Sequence, residues 1–229
     1  MSLPPELLDY SSYFQTPGFV AQFSLRSFDL NHLSSRELVA RAVGLEPTRL
    51  VVPEQVHSTR VIVVERPGPY PQTDGVLTNN PQLVLTIQVA DCIPLFILDP
   101  VTCCFGLVHA GWRSIAKGIG YRTVERLQEL EASLDQIRFL LGPSIRQCCF
   151  EVGAEVAAQF PPQFVDGKNG DLPHLSLQAA LKAQLLQHGI PENQVKDVRQ
   201  CTCCQSRHYY SYRREGAQAG RMIGIVGWK

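Results

Sequence analysis

Three residues of this chain sit in short motifs whose composition suits metal or thiolate chemistry. They are His57 in Gln55-Val56-His57-Ser58, Cys92 in Ala90-Asp91-Cys92-Ile93-Pro94, and His109 in Val108-His109-Ala110-Gly111-Trp112-Arg113. Two imidazoles and one thiolate are three of the four ligands that a tetrahedral zinc ion takes. An open fourth position is what separates a catalytic zinc from a structural one. The same set could also hold copper, which binds such sites more tightly than zinc. Without a metal, Cys92 reads as a nucleophile with His109 as its base. The bland reading is a buried free cysteine and hydrogen-bonded core histidines. The three residue types by themselves leave all of these open.

The neighbours sharpen the picture. Asp91 and Cys92 interrupt an apolar run, where a carboxylate beside a thiol costs burial energy unless both find partners. Pro94 removes a ladder donor and is expected to bend or end the strand, aiming a side chain into a cleft. His109 closes the run Phe105-Gly106-Leu107-Val108, and the small Ala110 and Gly111 let backbone approach closely. Arg113 offers a planar fork suited to phosphate or carboxylate. Asp91 and Glu151 are the candidate carboxylates for orienting a ligand or moving a proton.

Positioning these groups falls to elements read from periodicity and punctuation. Helical spacing covers residues 34–43, with a serine cap at Ser34-Ser35 and Gly44 as the stop, then 115–130, 151–159 and 175–188. Strands are expected over 50–52, 60–64, 76–78, 83–89, 95–98, 104–109, 137–141, 195–198 and 221–226. The proline-rich stretches 66–73 and 160–173 read as surface connections. Helices do not alternate strictly with strands, so the expected class is α+β, with mixed sheets flanked by helices. One domain over residues 1–229 is expected, because no repeat, low-complexity tract or flexible linker divides the chain.

Composition excludes several classes of partner. The chain has 21 basic and 21 acidic side chains and no run of like charge, so nothing suggests a nucleic-acid or anionic-membrane footprint. The most apolar segment, 83–98, contains Gln88, Asp91 and Pro94 and is too short to span a bilayer. No basic start followed by an apolar run marks a secretory leader, so a cytoplasmic protein is expected. In a reducing compartment its eight cysteines read as free thiols, ligands or nucleophiles rather than a disulfide framework. Cys148, Cys149, Cys201, Cys203 and Cys204 lack the paired C-x-x-C spacing of a structural zinc site, which favours packing thiols over a second metal.

Further blocks follow in order: Thr73-Asp74-Gly75, Gly142-Pro143-Ser144-Ile145, Cys148-Cys149-Phe150-Glu151-Val152-Gly153, Cys201-Thr202-Cys203-Cys204, Ser211-Tyr212-Arg213-Arg214 and Gly220-Arg221-Met222. With the three opening motifs, from Gln55 to the C-terminus, they resemble the YfiH-like family, also called laccase-domain or multicopper polyphenol oxidase proteins. The resemblance implies a YfiH-like, cysteine-hydrolase-type fold and a zinc-binding purine nucleoside phosphorylase. Such an enzyme would act on adenosine, inosine and methylthioadenosine and would also deaminate adenosine. It places the metal ligands on His57, Cys92 and His109, with Asp91 beside them. Arg113, Gln55, Ser144, Glu151 and Arg213 are the residues expected to meet nucleoside and phosphate. The N-terminal part, residues 1–49, departs from the pattern: Phe23-Ser24-Leu25-Arg26 echoes a Phe-Ser-Thr-Arg element, but a Gly-Gly-Val-Ser loop is missing. The motif-bearing core is residues 50–229.

Three rival functions stand beside it. A copper polyphenol oxidase needs a cluster of histidines, whereas this chain has six, no two of them one residue apart. An amide hydrolase acting on peptidoglycan precursors would use the same Cys92 and His109. A protein that only binds zinc or a nucleoside would need no further machinery.

Overall fold

The computed structural model describes residues 6–26, 33–167 and 172–229. In chain order, β1 (Leu7–Asp9), α1 (Ser11–Phe14) and β2 (Phe19–Ser24) are followed by α2 (Leu33–Ala42), β3 (Leu50–Pro53), β4 (Val61–Val63) and β5 (Gly68–Tyr70). Next come β6 (Gly75–Thr78), β7 (Val84–Val89), β8 (Ile93–Leu98), β9 (Phe105–Ala110), α3 (Trp112–Ala116), α4 (Ile119–Glu129) and β10 (Arg138–Leu141). The chain continues through α5 (Ala154–Ala157), the short pair β11 (Val165–Asp166) and β12 (His174–Leu175), and α6 (Leu177–Gln187). It ends with β13 (Val195–Asp197), α7 (Tyr212–Glu215) and β14 (Met222–Trp228).

Two mixed sheets carry the fold, ordered β1-β2-β14-β7-β3-β5 and β13-β10-β8-β9-β6-β4. Strand alternation decides how they stack. Along β8, Phe96 and Leu98 face the other sheet, sharing a core with Phe23, Leu85, Ile87 and Met222. Ile93, Leu95 and Ile97 point the opposite way, onto Ile119, Val124 and Leu127 of α4 and Leu181 and Leu185 of α6. On the first sheet, Ile223 and Ile225 of β14 turn outward to Val39 and Ala40 of α2 and to Val43 just beyond it. The layers are therefore helix, sheet, sheet, helix, the α+β arrangement expected. Because both faces of β8 and β9 are covered, their residues are buried throughout and their sequences are continuously apolar.

Several elements differ from the periodicity. The helix expected over 115–130 is two helices, α3 and α4, broken at Gly118, whose φ of 85° lies in the left-handed region. The helix expected over 151–159 shrinks to α5, because Glu151 is held instead in a bridge to His174. The connection expected at 66–73 contains β5, paired parallel to β3. Residues 19–24, which carried no expected element, form β2 between β1 and β14. Helix α2 starts at Leu33, ahead of Ser34-Ser35, so its cap position lies outside the described residues. Pro94 neither ends nor precedes its strand. It is the second residue of β8, near the sheet margin where a missing donor costs little.

Candidate metal centre

Three neighbouring strands deliver the site to one end of the second sheet. In the antiparallel pairing of β8 with β9, Ile93 lies opposite Ala110 and Pro94 opposite His109. Cys92, immediately before β8, therefore emerges beside the end of β9. Strand β6 flanks β9 on the other side, with Gly75 opposite Val108, so Asp74 lies at the same margin. There the His109 backbone N–H donates to the Asp74 carbonyl at 2.7 Å. His57 comes from the turn between β3 and β4, on an exposed segment with a left-handed φ of 58°.

Asp74 is what holds that turn. Its carboxylate accepts the backbone N–H groups of Val56 (3.2 Å), His57 (2.9 Å) and Ser58 (2.7 Å) and the Ser58 hydroxyl (2.8 Å). It also receives His109 Nδ1 at 2.8 Å. One fully buried carboxylate thus fixes the strained His57 backbone and the orientation of the His109 ring. Burial alone would raise the Asp74 pKa, but the hydrogen bonds from His109 and Ser58 bring it below the ordinary carboxylate value.

With Nδ1 spent on Asp74, His109 presents Nε2 to the site, the arrangement in which a carboxylate sets the tautomer of a metal-binding histidine. His57 Nε2 lies 3.9 Å from the Cys92 sulfur, and the two imidazoles meet edge-on with centroids 4.8 Å apart. The ligand atoms of His57, Cys92 and His109 all lie within 4.8 Å of one another. Zinc bonds of ~2.3 Å to sulfur and ~2.0 Å to nitrogen separate tetrahedral ligand atoms by roughly 3.3–3.6 Å, so the donor set fits such an ion with modest contraction. Burial would raise the Cys92 thiol, yet the adjoining His109 and His57 bring it down to about 6. Burial would lower His109, but Cys92 and Asp74 lift it to about 9. A thiolate is the form a metal requires.

Gly111 explains part of the His-Ala-Gly-Trp-Arg block. A Cβ there would stand 2.9 Å from the Cys92 sulfur and 3.1 Å from the His57 ring, filling the space between the ligands. The remaining expected residues divide into several groups. Asp91 is buried with a positive φ of 87°, and both its oxygens are engaged: Thr202 donates at 2.6 Å, the Ser211 hydroxyl at 3.0 Å and the Arg213 backbone N–H at 2.7 Å. Gln55 pairs through both ends of its amide with the Gln88 backbone, at 2.7 and 2.8 Å. Ser144 is fully buried and accepts from Gln178 at 2.8 Å. Glu151 lies 4.0 Å from His174, and its carbonyl accepts from the Arg213 guanidinium at 2.6 Å. Arg113 is exposed, stacked 4.4 Å above the Trp112 ring. Asp74 was legible only as part of Thr73-Asp74-Gly75. A lone acid just ahead of a buried strand is the signal that could have marked it.

A family model described as multi-copper polyphenol oxidoreductase laccase matches residues 30–229. The chain belongs to that laccase family. Within it, a Deinococcus radiodurans protein named purine nucleoside phosphorylase is 34% identical over 197 residues, covering 84% of this chain and 76% of its own length. Adenosine deaminase RL5, from an unknown prokaryotic organism, is 31% identical over 209 residues, covering 84% and 80%. Among solved structures, the hypothetical protein YfiH of Bacillus licheniformis superposes with a TM-score of 0.90 at 25% identity, covering 99% of this chain and 97% of that one. The laccase label does not bring a laccase ligand set. Among the described residues, the groups able to hold an ion contain only the histidines His57 and His109, and His32 lies outside those residues. No described helix is long and apolar enough to cross a membrane.

Proposed function

We propose that this chain is a zinc-dependent purine nucleoside phosphorylase, taking adenosine, inosine or methylthioadenosine with phosphate and deaminating adenosine as a side activity. The observation that carries the proposal is the His57–Cys92–His109 group backed by Asp74, in a chain whose relatives bear phosphorylase and deaminase names. His57, Cys92 and His109 would hold the ion and leave one position for substrate or water. Bound there, zinc would supply a Lewis acid.

The chain's own residues do the rest. Asp74 keeps the His109 proton on Nδ1, so that Nε2 stays a lone-pair donor. Arg113, at the start of α3 and only two residues beyond Gly111, carries a guanidinium whose reach and fork geometry suit phosphate. Trp112 beneath it limits the rotamers it explores. Asp91 is a positioning residue: its three donors hold the backbone from which Cys92 projects. Cytoplasmic residence follows from the same reading, since nucleosides and phosphate are metabolites of that compartment.

A second reading has one observation in its favour. The low thiol pKa of Cys92 beside His57 and His109 is also what a metal-free cysteine hydrolase would use. Product analysis separates the two. Incubation of adenosine with phosphate is expected to yield adenine and ribose 1-phosphate, and inosine appears if deamination runs. A chelator should abolish both, and Cys92→Ser should do the same. Phosphorolysis undiminished in Cys92→Ser would sink the zinc-enzyme proposal. Amide hydrolysis that survives chelation and dies with Cys92→Ser would establish the hydrolase instead.

A further inference from the structure

A second group of thiols converges where the turns that hold Asp91 meet. Cys148 and Cys149 lie in the turn after Ile145, and Cys201 and Cys204 in the turn after β13. The Cys148 sulfur is 3.7 Å from that of Cys149, 3.9 Å from Cys201 and 3.7 Å from Cys204, while Cys149 and Cys204 stand 3.2 Å apart. Four sulfurs at ~2.3 Å from a tetrahedral ion are separated by roughly 3.8 Å. The observed spacings bracket that value, and all four atoms lie within 4.8 Å of one another. We propose that Cys148, Cys149, Cys201 and Cys204 form a tetrathiolate site for a structural zinc ion, independent of the His57–Cys92–His109 centre.

Two observations favour a metal over packing thiols. Cys148 and Cys204 are exposed, where a thiol gains little from burial. The four sulfurs come from two segments far apart in sequence, brought together by Ser144 pairing with Cys201 and by two backbone bonds, Ser144 N–H to Gln200 O and Thr202 N–H to Ser144 O. A soft, four-sulfur donor set selects zinc among the common divalent ions and leaves no open position, so the ion would be closed to substrate. Binding releases the four thiol protons and changes no oxidation state.

Such a site would staple the two turns that grip Asp91. Ile145 N–H donates to the Asp91 carbonyl at 2.9 Å, and the Thr202 hydroxyl to its carboxylate at 2.6 Å. The spacing C-x-x-C is present once, at Cys201 and Cys204, but its partner is an adjacent pair, which is why sequence spacing favoured packing.

Metal counting in a Cys92→Ser background tests this without depending on the first centre. Protein purified under reducing conditions is expected to retain about one zinc per chain when Cys92 is serine, and about none when Cys148 is serine as well. Cobalt exchanged into the Cys92→Ser protein should show the thiolate charge-transfer and tetrahedral d–d absorption of four sulfur ligands. Should Cys148→Ser fail to fold, the single Cys92→Ser variant still decides. Metal-free Cys92→Ser protein with all four thiols freely titratable, or with Cys149 and Cys204 joined as a disulfide, would overturn the proposal.

Discussion

At the scale of single residues, the centre depends on one carboxylate doing two jobs. Asp74 orients His109 and anchors the turn that carries His57. Asp74→Asn keeps the shape but offers an NH₂ to groups that are already donors. Metal affinity is expected to fall about 10–100-fold, the usual consequence of losing the partner behind a ligating histidine. Competition against a chelator of known affinity measures it, and unchanged affinity would mean that His109 is oriented by something else. Gly111→Ala is the complementary test, since its Cβ would enter the gap between Cys92 and His57. Zinc occupancy should drop sharply while the far-UV circular dichroism is retained. Full occupancy in that variant would place the ion elsewhere.

At the scale of elements, the centre exists because the ends of β6, β8 and β9 coincide. Register pairs Pro94 with His109 and Gly75 with Val108, so Cys92, His109 and Asp74 reach the same margin. The turn before β8 is held from the other side through Asp91, whose left-handed backbone is tolerated because Thr202, Ser211 and the Arg213 N–H saturate its carboxylate. Hydrogen bonds to a charged group contribute about 1.5–3 kcal/mol each, so Asp91→Ala should lower the melting temperature markedly. Its kcat is expected to fall while the pH profile of kcat/KM keeps both limbs. Loss of one limb would instead make Asp91 a proton carrier. The elements themselves were partly legible. Strands β7 to β9 announced themselves because burial on both faces demands continuous apolar runs. Strand β2 did not, and the single helix expected over 115–130 concealed the left-handed break at Gly118.

At the scale of the whole molecule, the candidate ligands come from distant parts of the chain. His57 rides on the turn between β3, in the first sheet, and β4, in the second, while His109 lies in β9 and Cys92 directly precedes β8, both of the second sheet. An ion that binds only the folded state stabilises it by RT ln(1 + [L]/Kd), about 2.7 kcal/mol at a hundredfold excess over Kd. Chelation should therefore lower the melting temperature as well as abolish turnover, and added zinc should restore both. A melting temperature indifferent to zinc would argue that the protein holds no ion there.

Much of the candidate site was readable in local sequence. His57, Cys92 and His109 were legible as candidates from the short motifs around them, although their residue types alone left the bland readings open, and the α+β class follows from the mixture of periods. Contacts between strand ends were not legible, because register and sheet order are settled by packing two sheets against each other and against helices. That packing put Asp74 behind His109, committed Asp91 to Thr202, Ser211 and Arg213, and closed Gln55 onto Gln88. It also drew Cys148 and Cys149 to Cys201 and Cys204, a proximity that no linear spacing encodes.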